Sequence, residues 1–137
     1  MDLCSRILVT GSAGHLGEAL MRTFVARGQR DRVLGMDRAP SAFTDVIATI
    51  TDRAAVREAM RNVGAVIHTA TLHKPHVATH TRNEFVDTNI SGTLNLLEEA
   101  ESGRSGFGAV RARRAPLPMC DVEVVATYPH REDELGC

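Results

Sequence analysis

The chain has 137 residues, 43% of them hydrophobic and 24% charged, with a formal net charge of −1. This length and apolar content predict one globular domain and exclude wholesale disorder. The near-neutral charge argues against nucleic acid or an anionic membrane as a partner, and no apolar run approaches the ~20 residues of a membrane span. The first residues lack a secretory signal pattern, and Cys4, Cys120 and Cys137 are too few and too scattered for a disulfide framework. We therefore expect a cytoplasmic protein.

The first half of the chain alternates short apolar runs with stretches of helical periodicity. Residues 6–10 form a β-branched apolar run, and an amphipathic helix is predicted over residues 16–27, with Gly28 as its terminator. Two further apolar runs, at residues 33–37 and 46–50, predict strands.

The alternation then continues. A helix capped by Asp52 is predicted next, followed by a fourth apolar run at residues 65–69. Thr81 and Glu84 have the spacing of a capping box, which predicts a long helix over residues 85–100. The predicted buried face of that helix comprises Val86, Ile90, Thr93, Leu94, Leu97 and Ala100.

Strands that alternate with helices predict an α/β fold, here a Rossmann-like, doubly wound, mostly parallel sheet that is incomplete on its C-terminal side. We expect residues 1–101 to form this domain. Residues 102–137 are rich in glycine, arginine and proline, and we expect an atypical tail with one strand at 121–127 and otherwise irregular structure. A short basic cluster in this tail is interpreted as a solvated loop; it comprises Arg111, Arg113 and Arg114.

A glycine-spaced turn, Gly11-x-x-Gly14-x-x-Gly17, connects the first predicted strand to the first helix. The first glycine permits a tight turn, the second lets a pyrophosphate approach the backbone, and the third lets helix and strand pack closely. Asp37 ends the second apolar run, 20 residues after Gly17, where an acid can accept hydrogen bonds from adenosine ribose hydroxyls. This acid favours NAD over NADP, and the adjacent Arg38 weakens that preference because a guanidinium can bind a 2′-phosphate.

With these features the chain resembles the extended short-chain dehydrogenase/reductases, the NAD-dependent epimerase/dehydratase family. The matching segments are 9–17, 51–53, 66–70 and 87–97, together with Asp37. The resemblance implies NAD as cofactor, with Asp52 and Arg53 beside the adenine and Asn89 bracing the strand ends near the nicotinamide. The cofactor-binding residues implied by the turn and by the resemblance are Gly11, Ala13, Gly14, His15, Leu16, Gly17, Asp37, Arg38, Asp52, Arg53, Thr69, Ala70, Thr71, His73 and Asn89.

The sequence departs from the family in its catalytic signature. The resemblance implies a Tyr-x-x-x-Lys pair in which the lysine lowers the pKa of the tyrosine that acts as acid and base. The single tyrosine, Tyr128, is followed four residues later by Glu132, and a carboxylate there disfavours tyrosinate. The single lysine, Lys74, precedes the long helix. We therefore predict no catalytic residue in this chain.

The sequence is thus interpreted as the NAD(P)-binding portion of an epimerase/dehydratase-type oxidoreductase that is not catalytic alone. A truncated or frame-shifted relative of a full enzyme is favoured, because the family pattern stops abruptly. The alternatives are a short nucleotide-binding or regulatory module, a chain completed by a partner, and an interaction protein with a vestigial pocket. For a full-length relative, the resemblance implies a small-molecule substrate such as a nucleotide sugar, and a homodimer.

Three histidines, His73, His76 and His80, have a spacing that zinc ligands also show. No cysteine or acid lies among them, and Pro75 interrupts any helix that would align them. We therefore favour a loop at the edge of the cofactor site over a metal centre.

Overall fold

The computed structural model describes residues 6–102, 111–114 and 124–127. Six strands form one sheet in the order β3-β2-β1-β4-β6-β5. The first four strands are mutually parallel, whereas β6 runs antiparallel to both β4 and β5. The strands are β1 (Arg6–Thr10), β2 (Val33–Asp37), β3 (Val46–Ile47), β4 (Val63–His68), β5 (Arg111–Arg114) and β6 (Val124–Thr127). The predicted mostly parallel α/β sheet is confirmed.

Helices connect the parallel strands, as the sequence periodicity predicts. The capping box of Thr81 and Glu84 is present, and Asp52 accepts hydrogen bonds from two backbone amides at the start of its helix. The helices are α1 (His15–Ala26), α2 (Arg53–Ala59), α3 (Arg82–Val86) and α4 (Thr93–Ser102), with short 3₁₀ turns at Arg30–Arg32 and Lys74–Ala78. None of the helices within the described ranges is long and apolar enough to cross a membrane.

The central strand β1 supplies the middle of the core on both faces of the sheet. Leu8 and Val9 are both fully buried, and successive side chains of a strand point to opposite faces. Leu8 belongs to a cluster with Val56 of α2 and Leu96 of α4, whereas Val9 belongs to a cluster with Met21 of α1. Helices therefore cover both faces, as expected for a doubly wound sheet.

The third apolar run forms a shorter strand than predicted, because β3 ends at Ile47 instead of residue 50. Beyond that strand, Ile50 is buried and packs in the core cluster that contains Leu8. Ile50 therefore serves the core from a loop and not from a sheet position.

The tail contributes two strands. The strand predicted within 121–127 is present over Val124–Thr127. The expectation of irregular structure elsewhere in the tail, and of a solvated loop at the arginine cluster, is wrong for Arg111–Arg114, which pair with β6. An edge strand leaves backbone N–H and C=O groups unpaired, and a neighbouring strand can pair with them through its own backbone. Such pairing does not depend on apolar side chains, so the hydrophobic pattern did not predict it. The proposed domain boundary at residue 101 stays a prediction.

The long predicted helix is helical, but its predicted buried face is wrong for Val86, Ile90 and Leu94, which are exposed. Ala100 is buried as predicted, and Leu96, which lies outside the predicted face, is buried as well. The cause is a wider π-helical turn at Asp87–Gly92 that separates α3 from α4. A wider turn shifts the helical phase, so the spacing of a regular helix no longer predicts which side faces the core.

Candidate cofactor site

The glycine turn lies at the carboxyl ends of the parallel strands, where α/β sheets commonly bind their ligands. Gly11 has a φ of +76° and its amide donates to the Met36 carbonyl at 2.8 Å. A Cβ at Gly11 would lie 2.7 Å from backbone atoms of both Thr69 and Ala70. One at Gly17 would lie only 2.0 Å from the Gly11 carbonyl oxygen. These contacts explain physically why the motif needs glycine at both ends.

The N-terminus of α1 presents backbone donors at this turn. Gly14 is the N-cap residue, and no side chain within the described ranges caps the helix. The first amides of any helix have no intrahelical acceptor, and the positive end of the helix dipole lies beside them. His15 and Leu16, both exposed, occupy these first positions. The turn can therefore hold an anionic group such as a phosphate.

Asp37 links the end of β2 to the glycine turn. Its Oδ2 accepts a hydrogen bond from the Ala13 amide at 3.0 Å, and its Oδ1 accepts one from the Ala39 amide at 2.9 Å. Each carboxylate oxygen has two acceptor positions, so both can still accept from a ribose hydroxyl. The structure therefore brings the predicted acid and the predicted turn together.

The adjacent Arg38 makes a different contact. Its guanidinium lies 3.0 Å from Nε2 of His80, a residue of the loop that follows β4. Sequence reasoning assigned no partner to Arg38, and the sequence carries no signal for a contact across 42 positions.

Asp52 and Arg53 serve two local roles. Asp52 Oδ1 accepts hydrogen bonds from the amides of Ala54 and Ala55, which caps α2. The Arg53 guanidinium pairs with Glu98 and Glu99 of α4. Its head group therefore lies against α4.

Glu99 is a buried acid that sequence reasoning missed. Its side chain is only 3% exposed and it pairs with both Arg53 and Arg57, at 2.6 and 2.9 Å. Hydrogen bonds from Arg57 and Arg53 lower the pKa of Glu99 to about 2, against the opposing effect of burial. The only available signal was two arginines four residues apart on α2, which does not identify their partner.

The loop after β4 runs beside the glycine turn. Thr69 is tied to the end of β1, because its amide and its Oγ1 both donate to the Thr10 carbonyl, at 3.1 and 2.7 Å. Asn89 holds the next part of the loop: its Oδ1 accepts from the Leu72 amide at 2.8 Å and its Nδ2 donates to the Leu72 carbonyl at 2.7 Å. These two bonds clamp the backbone of the loop at Leu72, while the role that the resemblance implies for Asn89 near the nicotinamide stays a prediction.

His68, the last residue of β4, lies beneath this loop. It is 2% exposed, with Nδ1 2.7 Å from Thr10 Oγ1 and Nε2 3.1 Å from Thr93 Oγ1. Burial lowers the pKa of His68 to about 4. Sequence reasoning read this residue only as part of an apolar run, so it missed the buried polar link.

The three loop histidines form a row. The rings of His73 and His76 are 4.5 Å apart and nearly perpendicular, as are those of His76 and His80 at 5.5 Å. Burial, followed by the nearby His73, His80 and Arg38, lowers the pKa of His76. Among the residues with described side chains, no group of three His, Cys, Asp or Glu is arranged to hold a metal ion.

Several residues weighed in the sequence lie outside the described side chains. Cys4, Tyr128 and Glu132 lie outside the described residues, and Lys74 is described by its backbone alone. The predicted lack of a catalytic pair therefore rests on the sequence.

The glycine turn, Asp37 and the loop held by Asn89 lie together at one edge of the sheet. Comparison with known protein families identifies the family to which this arrangement belongs. The model of the NAD dependent epimerase/dehydratase family matches residues 7–111. The chain belongs to this family. As a family member it is 34% identical over 116 residues to sterol demethylase protein B of Methylococcus capsulatus, covering 75% of this chain and 35% of that protein. It is also 34% identical over 113 residues to a dTDP-glucose 4,6-dehydratase of Neisseria meningitidis, covering 71% of this chain and 32% of the relative.

Solved structures of short-chain dehydrogenase/reductases share the fold of this family member. One, from Agrobacterium tumefaciens with bound NAD, is 31% identical with a TM-score of 0.62 over 71% of this chain and 29% of that one. The UDP-glucose 4-epimerase of Thermus thermophilus in complex with NAD is 27% identical with a TM-score of 0.59, over 71% of this chain and 34% of that one. Both agree with NAD as the predicted cofactor. The chain spans about a third of the length of the curated relatives it matches.

Proposed function

We propose that this chain is the NAD-binding part of an epimerase/dehydratase-type oxidoreductase. The observation that carries the proposal is the Asp37–Ala13 hydrogen bond of 3.0 Å, which fixes a ribose-binding acid directly against a glycine turn. The turn admits no Cβ at Gly11 or Gly17, because each would collide with backbone atoms, as expected for a dinucleotide-binding turn. The family and the NAD-bound structural neighbours support the same cofactor.

The pyrophosphate is assigned to the N-terminus of α1. The Ala13 amide already donates to Asp37 and the Gly14 amide to the Gly11 carbonyl. The donors left for a phosphate include the first-turn amides of His15 and Leu16, where the dipole of α1 adds to the attraction. At the third glycine of the motif, Gly17, the missing side chain lets α1 pack closely against Gly11.

The remaining assignments follow the order of the strands along the sheet. The adenosine ribose is assigned to Asp37, and the adenine to the edge that Asp52 occupies. Thr69, Ala70, Thr71 and His73 follow β4 on the other side of β1, so they are assigned to the nicotinamide half. Asn89 positions this loop through Leu72 without needing to touch the cofactor itself.

When bound, NAD supplies a hydride acceptor, which suits oxidation of a carbinol carbon such as that of a nucleotide sugar. This chain binds and orients the cofactor and does not move the substrate proton. The single tyrosine, Tyr128, has Glu132 where a helical lysine partner would stand. This sequence therefore does not supply the family's Tyr-x-x-x-Lys pair.

Calorimetric titration of the purified chain with NAD and ADP-ribose tests the proposal. Binding of both ligands is expected, because both carry the adenosine ribose and the pyrophosphate. Absence of binding would favour an interaction protein with a vestigial pocket. If bound NAD or ADP-ribose changes the affinity of this chain for a partner protein, that result would favour the second candidate, a regulatory nucleotide-binding module.

We also propose a homodimer, supported by an apolar stripe on the helical segment. The stripe comprises Val86, Ile90 and Leu94, which are 48%, 62% and 50% exposed. Light scattering of the wild type and of a double variant, Ile90→Ser with Leu94→Ser, tests this. A dimer that becomes a monomer in the variant is expected, and a wild-type monomer contradicts the proposal.

A further inference from the structure

The guanidinium of Arg38 is held by a directed chain of hydrogen bonds. Arginine has only donors, so His80 Nε2, 3.0 Å away, must be the acceptor. The proton of neutral His80 therefore lies on Nδ1, which donates to Thr79 Oγ1 at 2.9 Å. Thr79 Oγ1 in turn donates to the His76 carbonyl at 3.3 Å. Both ring nitrogens of His80 are therefore hydrogen-bonded.

The backbone on the other side of this contact is also fixed. The Ala39 amide donates to Asp37 Oδ1, which closes a turn around Arg38. The direction in which the Arg38 side chain leaves the strand is thereby set by the same acid that is assigned to the ribose. His80 is fixed from its own side, because its amide donates to the His76 carbonyl at 2.9 Å.

The contact crosses the cofactor edge of the sheet. Arg38 follows β2 and His80 belongs to the segment after β4, and these strands lie on opposite sides of β1. The guanidinium is thus drawn away from the adenosine side and toward the β4 side. A 2′-phosphate of NADP would lie beside Asp37, which repels it, and Arg38 is the adjacent cation that would offset the repulsion.

We infer that His80 is a specificity-determining residue. By holding Arg38 across the cofactor edge of the sheet, His80 keeps the guanidinium from binding the 2′-phosphate of NADP, so the site selects NAD over NADP. This inference rests on the proposed function, because it assumes that the adenosine ribose lies at Asp37. Selection arises from an unfavourable interaction with the wrong ligand, while the contacts to NAD are unchanged.

The test measures the dissociation constants of NAD and NADP by calorimetry for the full chain and four variants. His80→Phe removes the acceptor and frees Arg38, so NADP is expected to bind about tenfold more tightly while NAD changes by less than about twofold. Combining H80F with Arg38→Gln is expected to abolish the gain. His80→Gln retains an acceptor and is expected to behave as the wild type. Arg82→Ala, which removes an exposed cation two residues beyond His80, is the matched control and is expected to change neither constant.

Arg38→Gln in the wild-type background tests the inference without altering His80. Since Arg38 is held away from the phosphate, R38Q is expected to leave NADP affinity unchanged. A selective loss of NADP binding in R38Q would overturn the inference, as would unchanged NADP affinity in H80F or a gain that survives in the H80F/R38Q double variant. Failure of the wild type to bind NAD at all would overturn the proposed function and this inference together, so the two failures are distinguishable.

Discussion

His68 and Thr93 join the end of β4 to the start of α4 through a hydrogen bond of 3.1 Å whose direction is determined. The Thr93 hydroxyl donates to the Asn89 carbonyl at 2.8 Å, so it can only accept from His68 Nε2–H. Nδ1 of His68 is then unprotonated and accepts from the Thr10 hydroxyl at 2.7 Å. One neutral imidazole thus connects the strand before the glycine turn to the start of α4, directly after the π-helical turn that carries Asn89.

This arrangement predicts an acid-sensitive fold. The pKa of His68 is lowered to about 4 in the folded chain, below its ordinary value of 6.5. The unfolded chain therefore binds the proton more readily, and stability present above pH 6.5 is lost as the pH falls toward 4. The full loss is about 3 kcal/mol. Urea unfolding at a series of pH values from 7.5 to 4 measures it.

The control for this prediction is a variant without the titrating ring. His68→Gln is expected to be less stable at neutral pH and to show a flatter pH dependence between about pH 6.5 and 5. His15→Gln, at an exposed position, is expected to retain the wild-type slope. Equal slopes in wild type and H68Q would contradict the assignment of acid sensitivity to this residue.

Asp37→Ala is expected to weaken NAD binding about tenfold to a hundredfold, because it removes the ribose acceptor and releases the Ala13 amide. Calorimetry with NAD measures the change. Asp31→Ala, which removes an exposed acid from the turn before β2, is the matched control and is expected to leave the affinity unaltered. Unchanged NAD affinity in D37A would show that the ribose does not lie at this carboxylate.

Gly14 and Gly17 of the turn are expected to differ in their tolerance of alanine. A Cβ at Gly17 would lie 2.0 Å from a backbone oxygen, which no side-chain movement can relieve, whereas one at Gly14 would lie 3.2 Å from the same oxygen. We expect Gly17→Ala to cost about 3 kcal/mol or more and Gly14→Ala about 1 kcal/mol or less. Thermal unfolding by circular dichroism compares them. Similar melting temperatures for both variants would mean that α1 does not pack against Gly11 as described.

Glu99→Gln is expected to lower the melting temperature strongly, because it leaves two arginines without their shared buried carboxylate. Glu98→Gln is the matched control, since Glu98 is 40% exposed and its pair with Arg53 is solvated. The pKa of Glu99 is held at about 2, below its ordinary 4.5, so its stabilisation is full above pH 4.5 and is lost as the pH falls toward 2. Equal effects of E98Q and E99Q on the melting temperature would argue against a special role of the buried Glu99 carboxylate.

The sequence by itself determined the parts of this protein that depend on neighbours along the chain. The β1–turn–α1 unit, the acid at the end of β2 and the caps by Asp52 and Thr81 were all predicted, because strand, turn and cap preferences act over a few residues. Those same local signals carried the family resemblance, which the comparison confirmed.

Only the tertiary structure decided which side chains meet across the sheet. A π-helical turn shifted the expected face of the long helix, so Leu94 is exposed and Leu96 is buried, while Ala100 is buried as predicted. Glu99 was drawn inward by two arginines of α2, and Arg38 was held by His80 from beyond β4. Such contacts join residues 40 or more positions apart, as between Arg38 and His80. Hydrophobic periodicity carries no information about them, because the pairing is set by which strands and helices are neighbours in the fold and, for Glu99, by the need to satisfy a buried charge.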